Sequence, residues 1–156
     1  MKGFHFTLEA VLTLRQRQEQ KAMELYAQAL LGRQQALDKL AAVQRDLENG
    51  FRELREQMAR GCTSLDVSQA QDYHRSLAKR RDDCALALAT AERRVNAALQ
   101  AMLSARQQRE IVDKYFDRQK ARHGREVARN EQKFLDDLAG RRGNSVLTWN
   151  ANELPS

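Results

Sequence analysis

Met58-Ala59-Arg60-Gly61-Cys62-Thr63-Ser64-Leu65-Asp66 is the stretch that decides the fold. Upstream of it, from Thr7 to Arg60, there is no proline, and the only glycines are Gly32 and Gly50. Gly61 suits the left-handed position just past a helix C-terminus. Thr63 followed by Asp66 has the spacing of a capping box, with Asp in place of the usual Glu. One helix therefore ends at residue 60 and another begins near 65. A connection this short forces the two to run antiparallel. The fold expected is all-α, two long helices in an antiparallel coiled-coil hairpin. Its helices cover 7–60 and 65–139 around a turn at 61–64, making one hairpin domain over 1–140. Residues 141–156 lack periodicity and read as a disordered tail.

Working outward, Thr7 is the N-cap expected for the first helix, with Glu9 in its first turn. Apolar or small residues recur at Leu25, Ala29, Gly32, Ala36, Leu40, Val43, Leu47, Phe51, Leu54 and Met58. Read as one stripe, they step 4-3-4-4-3-4-4-3-4, an eleven-residue period of about 3.67 residues per turn. That period predicts a straight or slightly right-handed pairing. The matching stripe of the second helix includes Ala70, Tyr73, Leu77, Cys84, Leu88, Ala91, Val95, Leu99 and Met102. Position i should then face position 125 − i, setting Leu40 near Cys84 and Leu25 near Leu99. Gly140 is the expected stop of helix two, which overhangs the start of helix one.

Composition sets the outer bounds. Charged residues make up 31%, aromatics 6%, and mean hydropathy is -0.74, too polar for a thick globular core. A hairpin needs only one buried stripe per helix. The longest apolar run, Cys84 to Ala89, is six residues, far short of a membrane span. Met1-Lys2 resembles the start of a signal peptide, but His5, Thr7 and Glu9 interrupt any apolar segment, so the cytoplasm is the default location. Cys62 and Cys84 sit about 33 Å apart along one helix, too far for a disulfide. Net charge is +6, which permits an acidic partner without choosing one.

The residues offer no catalytic constellation, no phosphate-binding glycine loop and no small-molecule or cofactor site, so an enzyme is not expected. His5, His74 and His123 are far apart in sequence and read as surface histidines with no shared metal site. The basic run from Arg106 to Arg129 raises nucleic acid as a partner. Pairs such as Arg106–Glu110, Glu110–Lys114 and Arg122–Glu126 favour a solvated helix face instead. Met23, Tyr26, Leu30 and Leu37 form a second apolar face on helix one. It either widens the contact with helix two or docks a partner.

Phe4-His5-Phe6-Thr7-Leu8-Glu9-Ala10-Val11-Leu12-Thr13-Leu14-Arg15, followed by Glu19, resembles the opening of the flagellar export protein family FliJ. The Gly61 turn, Tyr73 and Leu77 stand where that family has its hairpin and an aromatic–leucine pair. Glu131 to Ala139 resembles its closing acidic motif, with Asp136-Asp137 for the usual Asp-Glu. The resemblance covers residues 1–142. It implies a cytoplasmic, non-enzymatic stalk of the flagellar type III protein export apparatus, associated peripherally with the inner membrane and serving flagellum biogenesis and motility. The partners implied are a hexameric export ATPase, a membrane export-gate protein and export chaperones. By the same resemblance Phe4, Phe6, Leu8, Arg15, Tyr115 and Phe116 would meet the ATPase, and Leu47, Phe51, Tyr73 and Leu77 the gate. Tyr73 and Leu47 depart from the family's commoner Phe and Tyr. The stalk of a virulence-type secretion system, a generic coiled-coil spacer and a nucleic-acid-binding hairpin are the alternative readings.

A hairpin of this length is a rod over about 100 Å long at 1.5 Å per helical residue. Small-angle scattering should give an elongated particle, against the radius of gyration of roughly 15 Å expected of a globule of this size.

Overall fold

The structure, a computed structural model, describes the backbone of residues 3–150 and the side chains of 3–142. Two helices follow one another, α1 over Glu9–Arg60 and α2 over Ser64–Asn150. Among the described residues there is no strand, and no helix is long and apolar enough to cross a membrane.

The turn forms as its residues dictate. Gly61 has φ +91°, and no other described residue has a positive φ. Its N–H donates to the Met58 carbonyl at 3.3 Å, closing α1 in the manner of a left-handed C-cap. Thr63 and Asp66 then make the reciprocal capping box that opens α2. The Thr63 N–H donates to Asp66 Oδ2 at 2.9 Å, and the Asp66 N–H donates to Thr63 Oγ1 at 3.2 Å. The Thr63 hydroxyl donates to the same carboxylate at 2.7 Å. These bonds from Thr63 hold the Asp66 carboxyl below its ordinary pKa. At the start of α1 the expected cap is displaced by one residue. The first helical carbonyl to accept is that of Leu8, from the Leu12 N–H at 2.9 Å, and Thr7 lies in the preceding turn.

At the other end, α2 does not stop at Gly140 but continues through it to Asn150. A lone glycine costs a helix about 1 kcal/mol and does not break it without a left-handed turn or a following proline. Residues 151–156 of the expected disordered tail lie outside the described residues.

Contacts divide the chain into two units, Met1–Leu14 with Arg109–Ser156, and Arg15–Gln108. In the second unit the helices pair antiparallel. Arg15 donates to Gln108 Oε1 at 2.7 Å, and Gly50 lies against His74. Both pairs fall within two positions of the expected register.

The stripe itself differs from the expected one. The covered positions of α1 run through Arg15, Glu19, Ala22 and Tyr26 to Val43, Leu47, Gly50 and Leu54, stepping three and four alternately throughout. The covered positions of α2, from Val67, Ala70, His74 and Leu77 to Met102 and Ala105, keep the same alternation except at the exposed Arg81. This is a seven-residue period, the one kept in contact by left-handed coiled-coil pairing. The eleven-residue period fails because apolar character does not mark the seam here. Leu25, Phe51, Met58 and Tyr73 are exposed, while Arg15, Glu19 and Arg33 are partly covered, since long polar residues can bury their aliphatic stems. Of the second apolar face, Tyr26 and Leu30 join the contact, whereas Met23 and Leu37 stay exposed.

His74 is the sharpest departure from the surface role expected of it. It is buried, at 8% exposure, with its ring edge-on to Phe51 at 4.5 Å between centroids. Gly50 makes the room: a Cβ there would stand 2.7 Å from His74 Nε2. Elsewhere small residues leave space unfilled. Ala29, Gly32, Ala36, Ala87 and Ala91 line a groove of about 440 Å³ beside the half-buried Cys84. Both cysteines are free thiols.

Two outcomes follow from this packing. Gly50→Ala should lower the melting temperature, although alanine favours a helix over glycine by about 1 kcal/mol. In a His74→Ala background the same change should raise it, a sign reversal readable in a double-mutant cycle. Separately, the depressed Asp66 carboxyl stabilises the fold above the ordinary Asp value near 3.9, and that contribution disappears as pH falls below it. The gap in melting temperature between the native chain and Asp66→Asn should therefore be open at neutral pH and close toward about pH 2.

Candidate functional site

The candidate functional surface is built from the side chains that the seam leaves over. In the unit containing the N-terminus, residues 3–8 precede α1 and fold against α2 through their aromatic rings. Phe6 is 4% exposed, packed edge-on to Phe116 at 4.9 Å and tilted on Tyr115 at 6.2 Å. Phe4 meets Phe116 at 5.7 Å and His123 at 5.5 Å. Each such pair is worth about 0.5–1.5 kcal/mol beyond its area. The alternation of Phe4 and Phe6 with His5 and Thr7 explains the clamp: extended residues two apart point the same way. Phe6 is thus internal, Phe4 and Phe116 are half covered, and Leu8 and Tyr115 are exposed. The Tyr115 hydroxyl accepts from the Gln119 amide at 2.8 Å.

His5 and His123 are not as far apart as their numbers suggest. Both line one shallow depression of about 200 Å³ with Phe4, Gln119, Arg122 and Glu126. Glu126 is paired with Arg122 there at 3.6 Å. Among the described residues no group of three or more His, Cys, Asp or Glu side chains is placed to hold a metal. From Gly124 to Arg142 every residue of α2 but Val127 is exposed, including Phe134 at 64%, Leu135 and Leu138. The Glu131–Ala139 segment lies wholly within this exposed helix.

Arg15 belongs to the other unit. Its guanidinium bonds Gln108 and, at 3.0 Å, Gln18, so it is a partly covered seam residue. Toward the turn the residues expected to act together divide by burial. Leu47 and Leu77 are inside the seam, Leu77 at 3% exposure, and present no surface while the helices are paired. Phe51 and Tyr73, at 52% and 57%, stand out from it. His74 lies between these two rings, 6.1 Å from Tyr73 and against Phe51. The exposed pair therefore shares a buried histidine as a ring neighbour. Sequence spacing missed His74 because it is polar. Gly50 directly opposite in the register was the signal that a large side chain could enter there.

No curated protein and no solved structure matches the chain. A family model described as "Flagellar FliJ protein" matches residues 4–146. That span takes in the aromatic clamp, both helices of the hairpin and the capped turn, so the resemblance carried by the two ends and the turn extends over the fold as a whole. The protein is a flagellar export-associated coiled-coil protein and belongs to the FliJ family.

Proposed function

We propose that this chain acts as the stalk of the flagellar type III export ATPase, a cytoplasmic and non-enzymatic part held at the inner membrane by its partners. The observation that carries the reading is the division of side chains in the terminal unit. An internal aromatic clamp holds an N-terminal segment that leaves Leu8 and Tyr115 exposed for docking. In this reading Leu8, Tyr115 and the open edge of Phe4 touch the ATPase ring, while Phe6 and Phe116 hold them in place. Arg15 contributes an additional polar contact. The exposed rings of Phe51 and Tyr73 meet the export-gate protein, with the buried His74 against them and Leu47 and Leu77 within the seam. Export chaperones bind the same coiled coil.

A coiled coil in this position needs no chemistry of its own. Ring subunits that contact one asymmetric shaft unequally are biased toward different nucleotide states, by as much as their contacts differ in free energy. Large exposed side chains such as Tyr115 are the usual anchors, and losing one costs on the order of 2 kcal/mol of binding.

The test is co-purification with the flagellar export ATPase, followed by measurement of its hydrolysis rate. The native chain should bind and stimulate. Leu8→Asp and the Phe4→Ala/Phe6→Ala double variant should both stimulate less while far-UV helicity stays nearly constant, because residues 3–8 precede α1. Phe51→Ala should leave stimulation intact and weaken gate binding. Full stimulation by both N-terminal variants, or its loss in Phe51→Ala, would overturn the assignment of these surfaces.

A further inference from the structure

The net charge of the chain is concentrated in one short stretch. Between Lys114 and Arg129 there are six basic and two acidic side chains, against an excess of six for all 156 residues. Four of the six are arginines, at 118, 122, 125 and 129, and all four are exposed. They line a shallow groove of about 410 Å³ on α2 with Glu126. Arg122 pairs with Glu126, and Arg125 donates from Nε to the Ala121 carbonyl at 3.3 Å. Among the described residues no carboxylate lies within ion-pair distance of Arg118, Arg125 or Arg129. The solvated face balanced by acids four residues away therefore holds for Arg122 and fails for its neighbours.

These arginines also continue a line. Ile111, Tyr115, Arg118, Arg122, Arg125 and Arg129 step four and three alternately along one face of α2, away from the seam positions Val112, Phe116, Gln119 and His123. Ile111 and Tyr115, both exposed, give that face an apolar start. We propose that this face docks an acidic helical segment of a partner protein, with the apolar residues seating one end and the arginines pairing with carboxylates along the rest. Arg118 to Arg129 spans about 16 Å of helix, so a partner carrying acids at the same alternating spacing meets all four guanidinium groups. Arginine suits this role because its planar fork binds a carboxylate in bidentate fashion. Glu126 inside the groove opposes a continuous line of phosphates, whereas a protein partner can set its carboxylates clear of it. A bilayer needs an apolar face to enter, which four successive arginine positions do not supply.

The inference concerns the chemistry of this face, whose Tyr115 is also a proposed ATPase contact, so the full chain is tested without the ATPase and Tyr115 is left unchanged in every variant. The probe is a labelled synthetic helix of about three heptads with leucine at the seam positions and glutamate flanking them. Fluorescence anisotropy should show saturable binding to the native chain, and the same peptide with lysine for glutamate should not bind. R118Q/R122Q/R125Q/R129Q should bind the acidic peptide roughly tenfold more weakly or worse, and lose most of the salt dependence. Ile111→Ser should weaken binding while keeping that salt dependence. Circular dichroism should show unchanged helicity in both, since every altered side chain is exposed. Equal binding of acidic and basic peptides, or an unaffected arginine variant, overturns the proposal. So does tighter binding of a DNA duplex or of vesicles rich in anionic lipid than of the acidic peptide. Sedimentation showing that the face is occupied by a second copy of the chain also overturns it.

Discussion

A pair of helices can bury only one stripe on each, and everything else about this protein depends on which side chains occupy that stripe. With no third layer, a residue displaced from the seam by a single position goes to solvent rather than to a second core. The occupants here are mixed: Val43, Leu47, Leu77 and Val95 are buried, Gly50 and His74 fill one another, and Arg15 and Glu19 are covered only in part. Arg15 meets the cost of partial burial by bonding Gln18 and Gln108, whereas Arg33 Nε is buried without a hydrogen-bond partner among the described residues. What the seam excludes is then available for partners, and the excluded set includes large apolar residues such as Phe51 and Tyr73.

The same constraint separates support from contact. A buried imidazole lies against the exposed rings of Phe51 and Tyr73 near the turn, and the buried Phe6 lies against the exposed Tyr115 in the terminal unit. In each case an exposed side chain has its orientation set by a covered neighbour, which lowers the entropy it loses on binding. The aromatic clamp and the arginine face adjoin on α2, with Tyr115 part of both, so the helix offers two chemistries within a short length.

Residues fold locally as their types require at the turn, and there the reading from sequence needed no structure. Only glycine adopts φ near +91° at low cost, and only a short acceptor side chain such as that of Thr63 or Asp66 reaches back to cap the first turn. Gly140 shows the limit of that logic. Glycine permits a left-handed stop but does not impose one, and without a capping partner the helix continues.

The sequence by itself determined the helices, their antiparallel order, the register to within two positions and the family, because capping, turn chemistry and helix propensity act over a few residues. It did not determine the period of the seam. Apolar residues lie on several sides of α1, and an eleven-residue selection of them is as self-consistent as the seven-residue set that includes Arg15, Tyr26 and Gly50. Only the second helix, brought alongside, decides which is covered, since burial belongs to a pair of surfaces and not to one. His74 against Gly50, Phe6 against Phe116 and the unpaired arginines of α2 are all of this kind. Each depends on what stands across from a residue, and that is settled by tertiary packing.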